Sequence, residues 1–201
     1  MSKYQQRGDY HFQLYKTKGD PYREHVLDVM VQVEKHVPAC CQVLDVGCGE
    51  GLVTYLLLES ELGLGVVGCE IDGDAVALAA TRNLPVEQVS FEDIDELHYE
   101  AILFLDSLEH VDDYVAVLEK AKRMTDILLI AVPDRHDPHA TVQVGRQRIV
   151  DQFDLSWQMV HDETRHARHF MIFTKREFKK IELPDEIAEA FLPKLDENPG
   201  W

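Results

Sequence analysis

The run Val43-Leu44-Asp45-Val46-Gly47-Cys48-Gly49-Glu50-Gly51 gathers more residues fit for chemistry than any other stretch of the chain. It reads as a buried strand that ends in acid, turns through three glycines and opens a helix. Such a turn receives a nucleotide cofactor. The dinucleotide fingerprint Gly-x-Gly-x-x-Gly requires a glycine at position 52, where Leu52 stands, and the third glycine comes one residue early, at Gly51. Charge separates the cofactors further. A dinucleotide would bring its pyrophosphate up to Asp45, whereas S-adenosylmethionine brings a sulfonium and an ammonium. At about 4 Å and an effective dielectric near ~20, unit charges interact by roughly 4 kcal/mol. The carboxylate therefore repels the first cofactor and attracts the second.

The pattern Asp-x-Gly-x-Gly-x-Gly after an apolar strand resembles motif I of the class I S-adenosylmethionine-dependent methyltransferases. The resemblance implies that Asp45, Gly47, Cys48, Gly49, Glu50 and Gly51 surround S-adenosyl-L-methionine. Glu70, 23 positions after Gly47, ends the next apolar run. A carboxylate there can accept from both ribose hydroxyls. Gly68-Cys69-Glu70-Ile71 is similar to the family's second motif, which places Ile71 beside it. Asp72 competes for the ribose role, and its other role is an N-cap. Within Phe91-Glu92-Asp93-Ile94 the family has an acid that accepts from the adenine amino group and a following residue that packs on the ring. That implies Asp93 and Ile94, with Glu92 and Asp95 within a position or two. Asp106 ends a fourth apolar run at the carboxyl edge of the sheet, where ligands sit in open α/β folds. The resemblance sets it against the methionine end of the cofactor.

Methyl transfer from a sulfonium is an in-line displacement, so the enzyme chiefly aligns the partners and, where needed, removes a proton. His110 is the first candidate base, since imidazole titrates near neutral pH; its rival role is to hold a loop. Glu109 beside it and His169 far along the chain complete the catalytic candidates. Asp106-x-x-Glu109-His110, followed by His169 and an aromatic-Thr segment, also resembles the metal-binding pattern of small-RNA 3′-terminal 2′-O-methyltransferases. Oxygen and nitrogen ligands of that kind suit Mg²⁺ or Mn²⁺. Asp106 stands where that pattern has Glu, and Phe170-Met171-Ile172 stands where it has Phe-Glu. No metal is therefore assigned to the expected site.

These residues need a scaffold. A chain of 201 residues with 45% hydrophobic content suits one domain over its whole length. Strands are expected at Val43 to Val46, Val66 to Ile71, Val86 to Phe91, Ala101 to Leu105 and Ile127 to Val132. Helices are expected from Pro21, at Leu52 to Leu62, at Asp74 to Arg82 and at Val111 to Thr125. The alternation gives a Rossmann-like α/β fold, a doubly wound and mostly parallel sheet with helices on both faces. Residues 1–40 form an N-terminal lid and helix, with Tyr10, His11, Phe12 and Tyr15 as lid candidates or as packing against the sheet. Residues 133–170, with five of the ten histidines, read as a substrate-side insertion. Trp157 suits an apolar substrate pocket or the core. After it, Lys175 to Ile181 looks helical and only Ile181 to Leu183 looks like strand, so the family's closing antiparallel hairpin is expected to be reduced.

The net charge is -17. Leu44 to Asp113 carries 17 acidic residues against the single base Arg82, while 120–180 carries 12 basic and 8 acidic residues. The bulk charge argues against non-specific nucleic-acid binding, while the basic excess of the later half, which would face the substrate, keeps an anionic substrate possible; the leading acceptor is a small molecule. No apolar run reaches the ~18 residues of a membrane span, and the N-terminus lacks the apolar core of a signal peptide. The four cysteines have no zinc spacing and read as reduced thiols. A cytoplasmic methyltransferase is the expected protein. A metal-dependent RNA-end enzyme and a fold without catalysis are the competing readings.

Overall fold

The computed structural model describes residues 3–134 and 140–176. Seven strands form one sheet: β1 (Gln42–Val46), β2 (Gly65–Glu70), β3 (Val86–Gln88), β4 (Tyr99–Leu105), β5 (Thr125–Pro133), β6 (Trp157–Arg165) and β7 (Arg168–Lys175), in the order β3-β2-β1-β4-β5-β7-β6. The first five run parallel, and β7 pairs antiparallel with both β5 and β6. The order reverses between β1 and β4. This is where ligands bind in doubly wound sheets.

Among the described residues seven helices accompany the sheet: α1 (Lys3–Arg7), α2 (Tyr10–Lys16), α3 (Pro21–His36), α4 (Leu52–Leu58), α5 (Gly73–Ala80), α6 (Tyr114–Met124) and α7 (Arg146–Val150). The starts of α3, α5 and α6 follow from capping chemistry. Asp20 accepts from Tyr22 N ahead of Pro21, Asp72 accepts from Asp74 N and Ala75 N, and Asp113 accepts from Ala116 N. Asp72 thus fills the capping role expected of it.

Alternate residues of the central strands enter two cores. Val43, Leu103, Leu129 and Ile172 pack with α3 and α4, while Leu44, Ile102, Leu128 and Met171 pack with α6 on the other face. All four cysteines are free. Among the described residues no helix is long and apolar enough to cross a membrane.

The C-terminal hairpin is not reduced. It is complete and lies earlier than expected, over residues 157–175, within the stretch read as insertion and helix. Two physical features hid it. The edge strand β6 is mostly polar and only alternately buried, and its turn lacks the usual Asn-Gly signal. Instead His166 (φ 49°) and Ala167 (φ 61°) adopt the left-handed conformation that a two-residue hairpin turn requires. Lys175 ends β7, so a helix does not begin there. Residues 177–201, including the strand expected at 181–183, lie outside the described residues. The N-terminal segment adds two short helices to the single helix expected from Pro21.

Candidate cofactor and acceptor site

The glycine turn is held from both sides. Gly47 (φ 70°) and Gly49 (φ 58°) occupy the left-handed region. A Cβ at Gly47 would lie 2.6 Å from Ser107 Cβ, and one at Gly49 would lie 2.5 Å from the Tyr4 hydroxyl. The first contact comes from the end of β4, the second from α1 folded across the turn.

Glu70, at the end of β2, faces the same turn. One carboxylate oxygen accepts from Gly49 N at 2.9 Å, and the other accepts from Ile71 N and Asp72 N at 2.8 and 2.9 Å. Ile71 is 70% exposed beside it, an apolar surface left open at the strand edge. Asp93 is exposed in the 3-10 turn Phe91–Asp93, with Ile94 half-buried behind it. Lys120 of α6 holds that turn. Its ammonium donates to the carbonyls of Phe91, Glu92 and Ile94 at 2.9, 2.8 and 2.5 Å. Sequence reasoning missed Lys120, since nothing local marks a lysine that works 26 or more positions away.

A cavity of about 670 Å³ opens between the sheet edge and the first three helices. Asp45, Gly47, Cys48, Asp106, Glu109 and His110 line it from the sheet side. Asp45 is 2% exposed and accepts from Thr54 Oγ1 at 2.8 Å. Burial pushes its carboxyl up to about 6. Glu50 turns away from the cavity. It is fully buried and takes both the backbone N–H and Nδ1 of His11, each at 2.7 Å.

Asp106 has a left-handed backbone (φ 54°), uncommon outside glycine. Arg168 Nε donates to its Oδ2 at 2.5 Å, and another Arg168 nitrogen donates to the His166 carbonyl at 3.0 Å. The complete hairpin therefore carries an arginine to the end of β4. Oδ1 of Asp106 is buried without a hydrogen-bond partner among the described residues, as is Ser107 Oγ. Burial raises the Asp106 carboxyl against the pull of Arg168. His25 of α3 also lines the cavity, and burial beside Arg168 and His166 pushes it down to about 3.

The catalytic candidates separate. Glu109 is buried and His110 exposed, both at the cavity. His169 is elsewhere. Its neighbours Arg168 and Phe170 face the cavity side of β7, so His169 faces the other side, where its Nδ1 meets Thr164 Oγ1 at 2.7 Å. Among the described residues no three His, Cys, Asp or Glu side chains are grouped to hold a metal ion. Asp106 Oδ2 is engaged by Arg168.

Of the lid residues, Tyr10 and His11 reach the cavity, while Phe12 and Tyr15 are buried in the core. Trp157 belongs to the core and meets Phe153 edge-on. His166 bonds Asp28 of α3, His161 lies against Phe170, and His136 and His139 fall outside the described residues. Arg168, Tyr22 and His25 were not legible as cavity residues; only the folded hairpin and α3 bring them there.

The donor set fits S-adenosylmethionine. Two carboxylates, Asp45 and Asp106, line the cavity, and a glycine turn with no room for a Cβ at Gly47 or Gly49 leads from them to Glu70 and the exposed Ile71. The family model described as "Methyltransferase domain" matches residues 16–181. The chain belongs to that methyltransferase family. It is an S-adenosylmethionine-dependent methyltransferase with the family's Rossmann-like fold. No protein of curated function matches it significantly. Solved structures share the fold at low identity. The PH0226 protein from Pyrococcus horikoshii OT3 superposes with a TM-score of 0.64 at 15% identity, covering 81% of this chain and 93% of that one. The plantazolicin methyltransferase BpumL, solved in complex with SAH, gives 0.62 at 11% identity over 83% and 90%. The [4+2]-cyclase SpnF gives 0.65 at 12% identity over 80% and 83%, so the same architecture also carries other chemistry.

Proposed function

We propose that the methyltransferase acts on a small-molecule acceptor that enters the cavity beneath α1, α2 and α3. The observation that carries this reading is the cavity itself, about 670 Å³ and roofed by Tyr4, Tyr10, His11 and Tyr22. Concave pockets of a few hundred cubic ångströms take small ligands, and this one combines aromatic walls with charged groups such as Asp45, Asp106, Glu109 and Arg168. A nucleic-acid acceptor is disfavoured by the net charge of -17.

In this reading Glu70 accepts from the ribose hydroxyls. Ile71 and Ile94 flank the adenine, and Asp93 accepts from its amino group. Backbone of Gly47, Cys48, Gly49 and Gly51 follows the cofactor, while Asp45 and Asp106 face its cationic methionine end. Glu50 acts from behind the turn through His11. When bound, the cofactor supplies an electrophilic methyl group. The chain's own residues align the acceptor, exclude water through the aromatic roof and take up a proton. His110 and Glu109 stand at the acceptor side, and His169 makes no contact there. The proposed compartment is the cytoplasm.

Methyl-tritiated S-adenosylmethionine, incubated with the protein and either a small-metabolite extract or RNA ending in a 2′,3′-diol with Mn²⁺, tests the acceptor class. Label in a low-molecular-weight fraction is expected. Label confined to the RNA would overturn the proposal in favour of end methylation.

A further inference from the structure

His11, the second residue of α2, lies directly over the glycine turn. A Cβ at Gly49 would be 3.4 Å from its Cε1 and Nδ1. Its backbone N–H and its Nδ1 both meet the carboxylate of Glu50 at 2.7 Å. Glu50 is 0% exposed, so a fully buried carboxylate has both oxygens committed to one residue. The ring is packed by Tyr10, with centroids 3.9 Å apart, and by Tyr22, stacked at 5.0 Å. A carboxylate that accepts from Nδ1 fixes the tautomer and leaves the lone pair on Nε2. Nε2 has no hydrogen-bond partner among the described residues, and His11 lines the cavity within electrostatic reach of Asp106.

We propose that His11 is the general base of methyl transfer, with Glu50 as its positioning residue, and that the acceptor is a hydroxyl or N–H group that must lose its proton on methylation. The proposal rests on the small-molecule reading above. The acceptor's O–H or N–H bond breaks and its proton passes to Nε2. The new O–C or N–C bond forms as the methyl–sulfur bond breaks, and that electron pair stays on sulfur. The imidazolium, balanced by Glu50, returns its proton to water. Both residues of the dyad are far apart in sequence, at 11 and 50, and neither belongs to a recognisable catalytic motif.

Nitrogen-15 NMR of the histidine rings in the full chain tests the dyad without turnover. The expected state at pH 7.5 is His11 protonated on Nδ1, and Nε2 protonation would overturn the proposal. Diethyl pyrocarbonate, which acylates unprotonated imidazole nitrogen, gives a second readout by peptide mapping. His98, with a side chain 53% exposed, is the internal standard. His11 should react at least as fast as His98 despite being only 18% exposed, and Glu50→Gln should slow it at least about fivefold without changing His98. Equal rates at His11 in the two proteins would contradict the positioning role.

With the labelled acceptor fraction and saturating S-adenosylmethionine, His11→Asn should lose transfer by about 100-fold or more. Transfer within about threefold of wild type would exclude His11 as the base. Failure to label any small molecule would instead remove the acceptor reading and leave the ring-NMR result to decide the dyad.

Discussion

At the glycine turn, the polar contacts of Asp45 and Glu70 join near neighbours. Asp45 bonds Thr54 nine positions on, and Glu70 bonds the amides of Ile71 and Asp72 and reaches back 21 positions to Gly49. In the cap and hairpin that close over the turn, contacts span the chain. His11 meets Glu50 across 39 positions, Arg168 meets Asp106 across 62, and His166 meets Asp28 across 138. The turn is thus held by local backbone chemistry, and the cavity above it by tertiary structure. Contacts of the first kind form wherever the strand–turn–helix forms. Those of the second kind depend on the hairpin and on α1 to α3 docking correctly.

The sharpest way to break this contrast is Gly49→Ala. A left-handed alanine costs about 1–2 kcal/mol, and the added Cβ would stand 2.5 Å from the Tyr4 hydroxyl. Together these amount to roughly 2–3 kcal/mol of folding stability. Urea unfolding checks this. An unchanged unfolding free energy would mean that the turn and the cap above it are not coupled.

His25 offers a smaller effect from the acceptor side. Its folded pKa is depressed to about 3, while an unfolded histidine titrates near ~6.5. Below that value the unfolded chain binds a proton that the folded chain does not, so stability falls as pH drops. Between pH 6.5 and 5 this residue should account for about 1–2 kcal/mol of lost stability. Urea unfolding at pH 7.5 and 5 should show the loss in wild type and a shallower one in His25→Leu. Parallel pH dependences in the two proteins would mean that His25 is not held neutral in the fold.

Legibility in the sequence follows the same contrast. Glu70 ends β2, and Asp45 and Asp106 lie within one residue of the ends of β1 and β4, so the apolar runs of those strands announce them, while Asp93 follows the short β3 in a 3-10 turn; the parallel order of β1 to β5 follows from strand–helix alternation. The cap and hairpin were hidden for physical reasons. The edge strand β6 carries Gln158, His161, Asp162 and Glu163 and lacks a buried run. The turn at His166-Ala167 uses left-handed residues that no composition rule marks. Glu50 reads locally as a cofactor-turn residue, yet its carboxylate is claimed by His11 from a helix that sequence periodicity left uncertain. Likewise Lys120 reads as a surface lysine of an amphipathic helix, and only its three carbonyl contacts reveal that it fixes the Phe91–Ile94 turn.

The direct test of the cofactor edge is the affinity of Asp45→Asn for S-adenosylmethionine, measured by calorimetry at pH 7.5 beside wild type. The substitution removes the buried charge and keeps the shape. Binding should weaken at least about tenfold, which is about 1.4 kcal/mol, and S-adenosylhomocysteine, which lacks the sulfonium charge, should weaken less. Wild type should approach the variant as pH falls through about 6, where the Asp45 carboxyl takes up its proton. Equal affinity of the two proteins at pH 7.5 would contradict the assignment of Asp45 to the cationic end of the cofactor.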